Sequence, residues 1–126
     1  MISAPTTQIP GIYRRRIGDI VVTAISDGVV QSPTMFGVVP QEIESLMTAV
    51  HRSAPPQVSI NCFVIHSAGR VALIDTGCGT RMTDQQGRLF ANLQFAGVAI
   101  GDIDTVILTH MHPDHSNALT ADDGTA

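Results

Sequence analysis

His110, His112, Asp114 and His115 set three imidazoles and a carboxylate within six positions, directly after the apolar run Val106-Ile107-Leu108. Core packing gives no reason for such a cluster, since the rings would each need solvent or a hydrogen bond and would repel one another when protonated. Neutral imidazole nitrogen and carboxylate oxygen are, however, the donors that zinc and iron accept. In extended chain alternate side chains share a side, so His110 and His112 can pinch one ion. Pro113 keeps His112 out of helical geometry and sets the turn that follows. Asp114 and His115 then leave the bend in another direction, which suits a second ion. Four donors split between two ions leave each with two, below the three or so that a catalytic zinc uses. The remaining histidines, His51 and His66, lie upstream. The sequence therefore reads as the first half of a larger site.

The elements that must position these residues follow from the hydrophobic pattern. Gly11 to Ile17 and Ile20 to Ser26 read as a hairpin about Gly18-Asp19, with Asp27-Gly28 closing the second strand. Ser32 to Val39 is a loop. Gln41 to Arg52 reads as a helix, with Ile43, Leu46, Met47 and Val50 on one face. His51 then sits near a helix C-terminus, where its charge suits the dipole. Val58 to His66 and Arg70 to Asp75 form a second hairpin, with His66 a solvated residue at its rim. A further helix is expected from Gln85 to Ala96, opened by the capping-box pair Thr83 and Gln86 and stopped by Gly97. Its apolar face would be Leu89, Leu93 and Phe90. Thr105 to Thr109 reads as a short strand, apolar on both faces and so interior to a sheet. The histidine cluster stands at the C-terminal end of that strand, where ligands gather in mixed α/β architectures. The chain shows no internal repeat and no low-complexity segment.

Composition narrows the function classes. At 126 residues, 44% hydrophobic, the chain suits one core-forming domain. With no lysine and a formal charge of −4, it offers no surface for tracking phosphates, and Arg14-Arg15-Arg16 is better placed on a strand and its solvated flank. Nucleic acid and membrane are therefore not expected partners, and a small-molecule substrate is. Two cysteines make no disulfide framework. Cys62 reads as a small buried hydrophobe, and Cys78, in the glycine-rich stretch after Asp75-Thr76-Gly77, as filler. No segment is long enough to span a bilayer. Met1 to Pro10 has neither the basic start nor the apolar centre of a signal peptide and reads as a flexible arm, so a cytoplasmic location is expected.

Leu73-Ile74-Asp75-Thr76-Gly77, then a helix, then a strand, then Thr109-His110-Met111-His112-Pro113-Asp114-His115 resembles the metallo-β-lactamase-fold superfamily, from about Tyr13 onward. Ile17-Gly18-Asp19, Ala24-Ile25-Ser26-Asp27-Gly28 and Gly87-Arg88-Leu89-Phe90-Ala91-Asn92-Leu93 look like the branch holding methyl parathion hydrolase and lactonase-like hydrolases. The resemblance implies an α/β (α+β) chain: the N-terminal half of an αββα sandwich, a mixed sheet with flanking helices, over residues 11–126, with the C-terminal half absent. It implies that His110 and His112 hold the first metal and Asp114 and His115 the second. Asp75 would be the carboxylate that orients one of these ligands. One departure stands out. Many relatives carry two glycines after the motif where this chain has Asn117-Ala118, and Ala takes up left-handed geometry less readily, so the local turn is expected to differ.

The activity implied is hydrolysis of a small ester, lactone, lactam or phosphotriester by hydroxide bound to two zinc ions per complete domain, with iron or manganese as alternatives. Asp114 would both ligate and handle a proton. The complete protein could be a homodimer. Two other readings compete: an iron-dependent oxidoreductase of the same fold, of the persulfide dioxygenase or diiron type, and an inactive truncated product. Taken by itself, the chain is expected to be inactive and poorly stable as a monomer.

Overall fold

A computed structural model describes residues 9–32 and 37–125. The chain divides into two compact units, residues 1–28 with 60–126, and residues 29–59. Five strands form one mixed sheet in the order β1-β2-β3-β4-β5: β1 (Ile12–Ile17), β2 (Ile20–Gln31), β3 (Gln57–Ser67), β4 (Arg70–Ile74) and β5 (Thr105–Ile107). Three helices accompany them, α1 (Pro40–Ala49), α2 (Leu89–Phe95) and the short α3 (Pro113–Ser116). Among the described residues no helix is long and apolar enough to cross a membrane.

The first unit is built on both expected hairpins. β1 pairs antiparallel with β2, Ile17 opposite Ile20, and β3 with β4, Phe63 opposite Ile74 and Ser67 opposite Arg70. Asp27-Gly28 does not close β2, which runs on to Gln31. β4 and β5 are parallel, joined through α2. Alternation along the strands puts Ile25, Cys62, Val64 and Leu73 on one face, where they pack with Leu89, Leu93 and Val98 in the core. On the opposite face the described residues are half-buried or exposed. Phe63, Ile74 and Ile107 stand in register across β3, β4 and β5, and Phe63 and Ile107 are exposed.

Three sequence expectations need correction here. Thr105 to Thr109 is not interior: β5 has three residues, lies at the sheet edge, and leaves Val106 and Ile107 exposed. Its run is apolar on both faces, but among the described residues it has only β4 as a strand neighbour. The helix expected from Gln85 begins at Leu89. Thr83 and Gln86 do bond as a capping pair, the Thr83 N–H to Gln86 Oε1 at 3.0 Å, but within a turn ahead of the helix. The Leu89 N–H is taken instead by Asp27 Oδ1 at 3.1 Å, a cap from a residue remote in sequence. Phe90 is exposed, so the buried face of α2 is Leu89 and Leu93 alone. The expected stop is present: Gly97, at φ 76°, donates to the Gln94 carbonyl, and Val98 to that of Leu93, with both apolar side chains in the core.

His66 also departs from expectation. It is half-buried, and its Nδ1 is buried without a hydrogen-bond partner among the described residues.

The second unit holds α1, opened by Pro40 in its first turn with Glu42 beside it. The helix ends three residues before Arg52, because His51 takes a left-handed conformation (φ 57°) and the Arg52 N–H turns back to the Met47 carbonyl at 2.9 Å. His51 thus terminates the helix rather than extending it. Only Ile43 of the expected apolar face is buried; Leu46 and Val50 are exposed. Part of the loop from Ser32 to Val39, and most of the expected N-terminal arm, lie outside the described residues.

Candidate metal centre

β4 delivers Asp75 to its C-terminal end, and the rest of the site is arranged around it. The backbone turns left-handed there (φ 58°), with the Asp75 N–H still donating to the Ile107 carbonyl at 2.9 Å. An Asp tolerates this geometry better than most residues with a Cβ. The turn sends the carboxylate back across β5. Oδ1 accepts the Thr109 N–H at 2.8 Å, and the Thr109 hydroxyl donates to both carboxylate oxygens, at 3.0 and 2.8 Å. His115 Nδ1 lies 2.8 Å from Oδ2. Thr76 completes the anchorage, its N–H and hydroxyl both donating to the His115 carbonyl, at 2.8 and 3.1 Å.

Asp75 is buried, and burial by itself would raise its pKa. The hydrogen bonds from His115 and from the backbone and hydroxyl of Thr109 outweigh that effect and hold the carboxyl below its ordinary value.

His112 caps α3 in extended conformation (ψ 151°) and Pro113 occupies the first helical turn. The His115 and Ser116 N–H groups return to the His112 carbonyl at 2.9 and 3.1 Å. That single turn reverses the chain and brings the rings together. His110 meets His112 edge-on with centroids 4.5 Å apart, and meets His115 at 4.0 Å. Asp114 joins through its Oδ2, 3.2 Å from His115 Nε2. His110 and His112 are exposed, Asp114 and His115 half-buried.

The donors fit a borderline divalent ion in kind. Bonds of about 2.0–2.1 Å at near-tetrahedral angles put two donors around one zinc at a little over 3 Å, the spacing found between Asp114 and His115. The fit stops at pairs: among the described residues no three His, Cys, Asp or Glu side chains are arranged to hold a single ion. The rings of His110, His112 and His115 lean on one another instead of surrounding a common point.

Two further residues shape the site, and sequence reasoning gave them no such role. Asp27 is wholly buried and accepts the Cys78 N–H at 2.8 Å as well as that of Leu89, fixing the loop that leaves Asp75-Thr76. Gly77 permits this approach, since a Cβ there would lie 2.5 Å from the Asp27 carboxyl carbon. Thr109 is the other. Its place between the strand and His110 was the available signal, as Asp27-Gly28 was for Asp27. Cys62 and Cys78 are both buried. Burial, with the charge of Asp27 nearby, pushes their thiols up to about 12 and about 11, which keeps both protonated and weak as nucleophiles at neutral pH. After α3, Asn117 and Ala118 both keep negative φ, so the turn makes no left-handed demand at either residue. Arg81 secures this stretch through the carbonyls of Thr120 and Ala121, at 3.2 and 2.6 Å.

Residues 55–121 match the model of the metallo-beta-lactamase superfamily, and the chain belongs to that superfamily. Among solved structures it is similar to the hydrolase AbOPH of the beta lactamase superfamily, at 30% identity and TM-score 0.81 over 94% of this chain and 42% of that one. It is likewise similar to AidC, a dizinc quorum-quenching lactonase, at 25% identity and TM-score 0.75, covering 83% of this chain and 37% of that chain. A probable metal-dependent hydrolase from Staphylococcus aureus matches at 28% identity and TM-score 0.63, over 84% of this chain and 43% of its own. The chain therefore spans less than half the length of each of these proteins. No curated protein sequence matches it.

Proposed function

We propose that this chain carries the N-terminal metal ligands of a hydrolase acting on a small ester, lactone, lactam or phosphotriester. The observation that supports it best is the ring cluster at the end of β5, tied by Asp75 to the end of β4. His110 and His112 would hold one ion, and Asp114 and His115 the other. A bound pair supplies Lewis acidity, which acidifies water and polarises a carbonyl or phosphoryl oxygen. The residues of the chain do the rest. Asp75 holds the Nδ1 proton of His115, so that Nε2 would serve with the neighbouring Asp114 carboxylate as the pair of donors to an ion between them. Asp114, half-buried, would take a proton from water and return it to a leaving group. With two donors per ion, the 126 residues alone are expected to bind metal weakly and turn over little substrate.

The test is a zinc titration of the metal-free chain by calorimetry, beside His112→Ala and the distant control His51→Ala. Zinc binding that falls about tenfold or more in His112→Ala, with His51→Ala unchanged, is the expected outcome. Binding equal in all three would overturn the assignment.

A further inference from the structure

Thr109 has one hydroxyl proton and two lone pairs to distribute among four close neighbours. Asp75 Oδ1 and Oδ2 lie at 3.0 and 2.8 Å from its oxygen, His110 Nδ1 at 3.1 Å and His115 Nδ1 at 3.2 Å. A carboxylate offers only lone pairs, so the hydroxyl proton goes to Asp75. The oxygen then presents only lone pairs to the two imidazoles, and a bare Nδ1 at either position would face it lone pair to lone pair. Both Nδ1 atoms must carry the ring proton. For His115 the Asp75 carboxylate at 2.8 Å imposes the same choice independently. For His110 it does not, because the Thr109 hydroxyl is the only hydrogen-bond partner of its Nδ1 among the described residues.

We infer that Thr109 is the positioning residue that fixes His110 in the Nδ1-protonated tautomer, leaving Nε2 bare as a metal donor. One hydroxyl, itself polarised by Asp75, thereby sets the ring carrying the first half-site as Asp75 sets the ring carrying the second. The inference rests on the reading of His110 as a ligand for its purpose, but not for its observable. A tautomer exists with or without metal.

The experiment is heteronuclear NMR on the isotopically labelled, metal-free chain over a pH series, read where each imidazole is neutral and its two ring nitrogens are distinguishable. Wild type and Thr109→Ser should both show His110 protonated at Nδ1 and bare at Nε2. Thr109→Val, which keeps the shape and loses the hydroxyl, should move the His110 proton to Nε2 and leave His115 unchanged. Zinc affinity should fall about tenfold in the valine variant and recover in the serine variant, the usual scale for loss of an outer hydrogen bond to a ligand. His110 protonated at Nε2 in wild type, or an unaltered His110 spectrum in Thr109→Val, would overturn the inference. Should the valine variant fail to fold, the wild-type and serine spectra decide alone. Absence of zinc binding in a wild-type chain with the expected tautomer would refute the metal reading instead.

Discussion

Replacing Asp27 with Ala removes an acceptor that holds two distant parts of the chain together. Oδ2 takes the Cys78 N–H at 2.8 Å, Oδ1 takes the Leu89 N–H at 3.1 Å, and the carboxylate has no contact with solvent. Water cannot easily replace it. A buried donor left unsatisfied costs about 1–3 kcal/mol, so two of them put the loss at about 4 kcal/mol. That is a large share of the roughly 5–15 kcal/mol that holds a typical domain folded. Asp27→Asn keeps the volume and one acceptor oxygen, and should lose about half as much. Urea unfolding followed by far-ultraviolet circular dichroism reads the difference. With a denaturant slope of about 2 kcal/mol per molar, the alanine variant should unfold about 2 M earlier than wild type, or be unfolded already in buffer. Amide exchange at Cys78 and Leu89 should accelerate most. An alanine variant whose midpoint stays within about 0.5 M of wild type would refute the reasoning.

Gly77→Ala, which forces a Cβ against the Asp27 carboxylate at φ 75°, should lose about 3 kcal/mol or more. Gly69→Ala, at a similar φ but with nothing within 4 Å, should lose about 1 kcal/mol, and equal melting temperatures for the two variants would contradict this. Cys62 and Cys78, with thiols raised to about 12 and about 11, should resist alkylation in the native chain at pH 8 and react fully in denaturant. The same shifts predict a stability that is intact below about pH 8 and falls as pH rises toward 12, because the unfolded thiols release protons near 8.5 and the folded ones do not. Unfolding midpoints that hold constant up to pH 11 would count against it. The exposed row of Phe63 and Ile107 should drive association, so that Phe63→Ser with Ile107→Thr increases the monomer fraction in sedimentation velocity. A wild-type chain already monomeric at high concentration would exclude that.

The features legible in the sequence are those that depend on near neighbours. Both hairpins follow from β-branched runs broken at Gly18-Asp19 and Ala68-Gly69, and the Gly97 stop needs only the few residues before it. The histidine cluster was visible because its residue types have no packing explanation. Misreadings arose where a distant partner decides the outcome. The start of α2 is not legible locally, because Thr83 and Gln86 make a sound local cap while the residue that caps the helix is Asp27. β5 read as interior because its residues are apolar, although burial depends on neighbours that no local pattern reveals. Thr109 looked like the last residue of a strand. Its hydroxyl matters only because Asp75 arrives from another strand to orient it.

The attachment of His115 to the end of β4 has a consequence for anyone wishing to move this site elsewhere. The loop from Thr109 to Ser116 makes its turn through the His112 carbonyl but does not hold its last ring in place by itself. Its last histidine is held at the ring by Asp75 and at the carbonyl by both the N–H and the hydroxyl of Thr76. Grafted alone onto a foreign strand, the histidine segment would keep its composition and lose its arrangement. The transplantable unit is two parallel strand ends, Asp75-Thr76 on one and the histidine loop on the other, at the spacing set by Ile74 opposite Ile107.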